Sequence, residues 1–338
     1  MRSGLGRAGG SGGSRMNIAV SDRLDFRPGA LGESLAARAT AGRADADLVA
    51  IVEAERDHVR EALYKYGALL FRGYGITDPV RFEAVTRAFV PKAYSYVGGS
   101  TPRSRISGEV FTSTEYAADA VLPLHNEASY FKVIPDFVWF CCKIAPEIAG
   151  ETPLGDMRRV LKRLDPVLVE RFDARGLTYI TNLHSGDGFG KSWQQTYQSD
   201  DRHEVEERVR EKGLDFEWTA DEHLHVRMFA PALRKHSVTG DVYWGNQAVN
   251  WHPSLLPPAT LKAVSRLYGP QVNFPKTVLF GDGTGIRDED ARQVSAALTA
   301  EETVFRWEAG DVLLVDNQAI AHGRRPFKGA RQIMVALA

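Results

Sequence analysis

Cysteine is nearly missing from this sequence: its 338 residues include two, Cys141 and Cys142, and they are adjacent. They stand in Phe137-Val138-Trp139-Phe140-Cys141-Cys142-Lys143, which reads as a buried strand. Neighbouring strand residues point to opposite faces, so the two thiols do not serve one ordinary disulfide or one metal; they are expected in the core. The lack of a disulfide framework favours a reducing cytoplasm. An excess of one charge is also lacking, since 42 basic side chains face 43 acidic ones for a net charge of −1. A nucleic-acid binder usually carries a basic excess, and no acidic tail points to a polycation. No apolar run approaches the ~20 residues of a membrane span. Residues 1–15 are rich in Gly, Ser and Arg and have no apolar stretch of the signal-peptide kind. They are expected to be a disordered tail, with Met16 a candidate start and residues 16–338 forming a single domain. The dinucleotide-binding glycine fingerprint is missing too: Gly281-Asp282-Gly283-Thr284-Gly285 follows an apolar run ending in Phe280 but does not match it. It reads as a tight loop.

What is present is an ordinary globular composition, 43% hydrophobic and 25% charged. Apolar spacing predicts helices over residues 45–66, carried by Leu48, Ile51, Val52, Val59 and Leu63, and over 79–90, 157–174 with an interruption at Pro166, 201–212 and 257–267. Short apolar runs predict strands over 67–73, 137–143, 176–182, 224–228, 242–244, 303–307, 312–315 and 332–337. Many short strands with irregular loops and a few outer helices indicate a mainly β protein of the α+β kind, built as a double sheet.

The segment that carries chemistry is Leu122-Pro123-Leu124-His125-Asn126-Glu127. In an extended segment, His125 and Glu127 point to the same face, where one imidazole and one carboxylate can reach one metal ion. A His-X-Glu triplet alone is equally well a surface salt bridge. A second histidine from a distant segment changes that balance, and His322 is the candidate: it follows the buried run Val312-Leu313-Leu314-Val315 and a polar stretch. Two histidines and one carboxylate form the facial triad that leaves open positions on iron(II) for co-substrate and dioxygen. Arg331 comes nine residues after His322, just before an apolar strand. If the chain turns back between them, its guanidinium offers a planar fork to the far carboxylate of a 2-oxo-dicarboxylate.

These segments resemble, in order, the taurine dioxygenase (TauD/TfdA) family of Fe(II)/2-oxoglutarate-dependent oxygenases. The closest likeness is to the syringomycin-cluster aspartyl hydroxylase-like branch, with clavaminate synthase a more distant relative. The matching segments are Ser100-Thr101-Pro102-Arg103, Leu124-His125-Asn126-Glu127-Ala128-Ser129-Tyr130 and Gly150-Glu151-Thr152-Pro153-Leu154-Gly155-Asp156. Further on are Trp244-Gly245-Asn246-Gln247, whose first pair departs from the family pattern, and the block from Asp316-Asn317 through His322 to Arg331. The resemblance runs from about Leu69 to Leu337 and implies a double-stranded β-helix, a distorted jelly roll, with helices outside. It implies that His125, Glu127 and His322 hold Fe(II) and that Thr152 and Arg331 hold the 2-oxoglutarate carboxylate, with dioxygen as the other co-substrate. The expected outcome is hydroxylation of an amino acid, free or tethered to a carrier protein, in secondary metabolism. Desaturation or cyclisation at the same site is the alternative. Halogenation is disfavoured because Glu127 stands where halide would bind. A non-catalytic jelly-roll binding protein, or a zinc or manganese hydrolase or isomerase, is the alternative of another class; Arg331 has no purpose in the latter.

Arg103 and Arg324 are the candidates for binding a substrate carboxylate, against a solvated loop charge and a structural ion pair. Trp193 is weighed as a lid residue against a packing anchor. His223 and His225 form another i, i+2 pair but lack a distant third ligand. His184, His236 and His252 read as loop residues. Asp156 and Asp316 read as turn residues or as partners of metal ligands, Asp316 for the free N–H of a bound histidine. Neither a nucleic acid nor a membrane is expected as a partner, and nothing in the sequence specifies the oligomeric state.

Overall fold

The strand Phe137–Ile144 alternates its side chains between two cores. Trp139 and Cys141 enter one cluster, together with Val312, Leu314 and Met334. Val138, Phe140 and Cys142 enter the other, with Leu313, Val315, Ile333 and Val335. This period of two, repeated on three adjacent strands, marks a sheet buried on both faces. The computed structural model describes residues 23–29, 35–43, 45–95, 97–99, 103–114 and 116–338. The expected tail at 1–15 and Ser100-Thr101-Pro102 lie outside the described residues.

Within them the largest sheet has eight strands, in the order Arg27–Pro28, Ala37–Thr40, Ala68–Arg72, Val312–Asp316, Phe137–Ile144, Gln332–Leu337, Val110–Thr112, Arg105–Ser107. Its pairings are antiparallel except that Ala37–Thr40 runs parallel to Ala68–Arg72. One face is covered by the helices Leu48–Ala54, Arg56–Tyr66 and Pro79–Phe89, whose Leu48, Ile51, Val59, Leu63, Phe82 and Phe89 fill the first cluster. The other face looks onto a three-stranded sheet in which Ile320–Arg324 lies between Leu122–His125 and Leu154–Asp156. Leu154 and Ile320 of that small sheet join Phe140 and Val335 of the large one in the second cluster. Two facing sheets around a shared core, with helices outside, are the expected jelly roll.

A four-stranded sheet, Asp215–Trp218, Leu224–Ala230, Leu177–Leu183 and Lys276–Phe280, flanks this sandwich and carries a third cluster with Tyr179, Val226, Trp244 and Phe280. Among the described residues no helix is long and apolar enough to cross a membrane.

Three expectations need correction. Residues 303–307 form no strand; Thr303 makes an isolated bridge with Leu154, and Phe305 and Trp307 are instead packed into the core between the sheets. Their alternation comes from burial without a ladder. The helix expected over 45–66 is two helices that meet at Glu55. The helix Asp288–Ala300 is not among the expected elements, although its three acidic first-turn residues suit a helix N-terminus; it packs behind the Leu122–His125 strand. By contrast, the break at Pro166 is real, with Asp165 capping the second helix, and Cys141 and Cys142 are free, buried and on opposite faces.

Candidate active site

The Leu122–His125 strand ends on the first of the expected ligands. Its central neighbour brings His322 directly opposite His125 in register, and the two rings lie 4.5 Å apart between centroids. Close approach of these strands depends on Gly323, because a Cβ there would come within 2.6 Å of the Leu122 carbonyl oxygen. Glu127 does not continue the strand; it opens a turn in which Ala128 has a positive φ of 56°. A simple i, i+2 extended pair is therefore not what aims the carboxylate.

Asparagine side chains hold the backbone that carries it, and Arg103 meets the carboxylate itself. Asn317 Oδ1 accepts from the Glu127 backbone N–H at 2.6 Å, and its amide donates to the Glu127 and Pro135 carbonyls at 3.1 and 2.8 Å. Asn126 donates in turn to the Asn317 carbonyl at 2.6 Å, while Gln247 donates to the Asn126 carbonyl at 2.7 Å. The side chains of this network are buried. Removing Asn317 strands several of its partners, at about 1–3 kcal/mol for each unsatisfied buried group. Asn317→Ala is expected to lower the denaturation midpoint and to weaken iron binding about 10–100-fold, as loss of a ligand's supporting partner does. Denaturant melts and iron titration check this, and unchanged iron affinity would remove Asn317 from the role.

Ligand atoms of His125, Glu127 and His322 all lie within 4.8 Å of one another, and this is the one such cluster found among the described residues. His125 Nδ1 faces the Pro123 carbonyl oxygen at 2.8 Å, so donation there leaves Nε2 as the lone-pair nitrogen facing the cluster. Burial, then the nearby His322, pushes the His125 pKa down to about 3, which keeps the ring neutral and able to bind a cation. Burial alone would raise the pKa of Glu127, but Arg103 and the two histidines hold it below the usual carboxylate range. His322 Nε2 is 3.6 Å from Glu127 Oε2, and its ring packs on Phe140. Two imidazoles and one ionised carboxylate, all buried, fit a divalent transition metal with positions left open.

A pocket bounded by His125 and His322 is also bounded by Ser113, Thr152 and Arg331. Arg331 donates through Nε to the Gly150 carbonyl at 3.0 Å, and its Nη atoms lie 3.4 Å from Ser113 Oγ and 3.5 Å from Thr152 Oγ1. Burial, then the charge of Arg324, pushes its pKa down to about 10, so it remains a cation at neutral pH. The Trp307 indole N–H donates to Thr152 Oγ1 at 3.1 Å. With its lone pairs facing Trp307 and Arg331, the Thr152 hydroxyl retains its proton to donate. A cation and a hydroxyl donor thus meet in the pocket that the two histidines share, which suits the far carboxylate of a dicarboxylate chelating a metal there.

The remaining candidates are distributed differently. Arg103 Nη2 lies 2.6 Å from Glu127 Oε2, and both side chains are buried, so Arg103 attends the carboxylate of the candidate metal cluster. Arg324 donates to the carbonyls of Tyr116, Ala117 and Ala120 at 3.1, 2.5 and 3.0 Å and thereby staples the segment after Thr114; expected at a substrate carboxylate, it is engaged by backbone instead. Asp316 meets His236 Nε2 at 2.9 Å rather than His322, whose Nδ1 has no hydrogen-bond partner among the described residues. Asp156 caps the Met157–Arg163 helix. Trp193 is a buried packing anchor set edge-on against Trp218, not a lid. His184 and His252 are buried against the carbonyls of Gly190 and Ile286. Asn317, Trp307 and Ser113 are site residues that sequence reasoning does not assign; Asn317 lies within a matching block, whereas Trp307 and Ser113 carry no local signal.

A family model described as "Taurine catabolism dioxygenase TauD, TfdA family" matches residues 30–337. The chain belongs to the TauD/TfdA family. As a member it is an Fe(II)/2-oxoglutarate-dependent dioxygenase. It is 34% identical over 319 residues to the dapdiamide synthesis protein DdaC of Enterobacter agglomerans, covering 94% of this chain and 95% of that one. It is 30% identical over 295 residues to a clavaminate synthase-like protein of Arabidopsis thaliana, covering 85% and 86% of the two chains. The structure of AAD-2 in complex with Mn(II) and N-oxalylglycine superposes with a TM-score of 0.55 at 12% identity, covering 94% of this chain and 97% of that one. That likeness establishes the shared fold.

Proposed function

We propose that this dioxygenase hydroxylates an unactivated C–H bond of a small amino acid, free or carrier-bound, in secondary-metabolite biosynthesis. In this reading residues 16–338 are one oxygenase domain behind a tail at 1–15. His125, Glu127 and His322 hold Fe(II), and Arg331 and Thr152 hold 2-oxoglutarate. The observation that carries the reading is the single pocket bounded both by the two histidines of the metal cluster and by Arg331 and Thr152. The likeness to a dapdiamide synthesis protein supports the amino-acid-derived substrate class. Two free, buried thiols suit a reducing cytoplasm.

Iron(II) with 2-oxoglutarate and dioxygen supplies the oxidising power when bound. The chain's own residues supply position and seclusion. The Asn317 and Asn126 amides orient Glu127, the Pro123 carbonyl fixes the His125 tautomer, and Phe140, Leu122 and Ile333 exclude water around the histidines. The balanced reaction takes substrate R–H, 2-oxoglutarate and dioxygen to R–OH, succinate and carbon dioxide.

Succinate formation is to be screened against amino acids, free and carrier-bound, with mass spectrometry under labelled dioxygen. The expected product is heavier by one oxygen, drawn mainly from dioxygen, with one succinate per turnover. A product lighter by two hydrogens would mean desaturation or cyclisation on the same site. A chlorinated product in chloride buffer would contradict the ligand role of Glu127. Failure to consume 2-oxoglutarate, with no iron bound, would favour a non-catalytic binding protein.

A further inference from the structure

A second cavity, of about 500 Å³, is linked to the pocket of the two histidines through Tyr116, which lines it and whose carbonyl accepts from Arg324 in the wall of that pocket. Its size falls in the range of small-molecule sites, ~300–1,000 Å³. Tyr130, Tyr197, Leu183 and Met228 supply apolar wall, and two lysines, Lys191 and Lys276, reach into it. Among the described residues that line it there is no carboxylate. Two cations converge on one chamber, therefore, with no anion in its wall to meet them.

Lys276 stands at the start of the Lys276–Phe280 strand, opposite Thr181, which also lines the cavity. The residue is half-buried, and its Nζ sits 4.1 Å from the centroid of the Trp251 ring. Among the described residues its ammonium forms no hydrogen bond or ion pair. Among the described residues Lys191, which lines the chamber, makes one hydrogen bond, to the Gly99 carbonyl at 3.3 Å, and this engages one of its three N–H groups. Removal from water destabilises both ammonium groups. Burial pushes the Lys276 pKa down to about 7 against the opposing pull of Glu127, and burial together with Arg103 lowers that of Lys191. Tyr130, three residues after Glu127, stands in the chamber wall and so places the chamber next to the segment that carries this carboxylate. A buried charge is retained at little penalty only when a counter-charge meets it.

We propose that this chamber holds the primary substrate, and that the substrate carries a carboxylate which Lys276 and Lys191 anchor while its body lies along the tyrosine and methionine wall. The proposal rests on the oxygenase reading of the neighbouring site and narrows its substrate class. It moves the anchoring cations away from Arg103, which attends Glu127, and Arg324, which holds backbone carbonyls. It also bears on tethering. An amino acid loaded on a carrier through a thioester has no free α-carboxylate, so a carrier-bound substrate would have to present a side-chain acid.

The test is binding to the full chain loaded with Fe(II) and saturating 2-oxoglutarate, without dioxygen, so that the co-substrate site is filled. The probes are the proteinogenic amino acids as free acids and as α-carboxamides, with aspartate and glutamate compared with asparagine and glutamine. Aspartyl and glutamyl groups on a carrier protein form a further arm. Calorimetry should find carboxylate-dependent binding that Lys276→Met weakens at least about tenfold, that Lys276→Arg partly restores and that Lys191→Met also weakens. The affinity for 2-oxoglutarate, measured separately, should stay within about twofold in each variant. Loss on α-amidation would assign the anchor to a free amino acid; loss only on side-chain amidation, with the carrier arm binding, would assign it to a tethered acid. Amides that bind as well as acids, unchanged binding in Lys276→Met and Lys191→Met, or no carboxylate-dependent binding anywhere in the panel would each overturn the proposal. Failure of the wild-type chain to bind Fe(II) and 2-oxoglutarate would be a separate result, overturning the oxygenase reading on which the proposal stands.

Discussion

Alanine at His125, Glu127 or His322, one at a time, is expected to abolish turnover. These ligand atoms come from two neighbouring strands and a turn yet lie within 4.8 Å of one another, so no nearby donor replaces one that is lost. Loss of even an outer partner of a metal ligand lowers metal affinity or activity about 10–100-fold, and loss of a ligand should exceed that range. His125→Ala and His322→Ala leave the clamp of Asn317 on Glu127 intact and should remain folded by circular dichroism. Glu127 also meets Arg103 at 2.6 Å, and removing one partner of a buried ion pair destabilises a protein by about 3–5 kcal/mol. Glu127→Gln, which keeps the side chain's shape, is therefore the companion variant, and it too should lose iron. The measurements are bound iron per chain and succinate release. Near-wild-type values of both in any of the histidine variants, or in Glu127→Gln, would dismantle the metal assignment.

Arg331→Ala should raise the 2-oxoglutarate concentration needed for half-maximal turnover at least about tenfold. A hydrogen bond to a charged group contributes about 1.5–3 kcal/mol, and about 1.4 kcal/mol corresponds to a factor of ten. The guanidinium is already ordered by Gly150, with Thr152 and Ser113 beside its Nη atoms, so little rearrangement precedes ligand binding. Arg331→Lys should recover part of the effect, because an ammonium is a point charge and not a planar fork. Thr152→Val removes the hydroxyl that the Trp307 indole and Arg331 orient and should give a smaller shift of the same sign. An unchanged 2-oxoglutarate requirement in Arg331→Ala would move the anchor elsewhere. Arg325, which is bonded to Glu302 at 3.0 Å, is the next cation along the chain to examine.

Elements whose side-chain period is local are legible in the amino-acid order. The strands at 137–143, 312–315 and 332–337 declare themselves by continuous apolar runs, because both faces of their sheet are buried. The break at Pro166 is equally local, since proline lacks the N–H that a continuing helix needs. The candidate metal cluster is legible because His125 and Glu127 are two residues apart and His322 and Arg331 follow a recognisable strand, in an order that matches a known family.

Contacts between distant segments settle the rest, and these exist only in the folded chain. Phe305 and Trp307 alternate like strand residues, but among the described residues no ladder extends beyond Thr303, and burial between the sheets accounts for their pattern. Glu127 reads as the second member of an extended pair; in the fold its backbone is held by Asn317, 190 residues away, and its carboxylate by Arg103, which no local spacing encodes. Arg103 and Arg324 are equivalent as sequence, two cations beside polar or glycine-containing segments, until one meets a carboxylate and the other a row of carbonyls. Lys276 has no signal at all, because a lysine at a strand start is ordinarily solvated. The fold strips part of the water from around it and places it in a chamber with Lys191, and the energy of a charge depends on its surroundings more than on its neighbours in sequence.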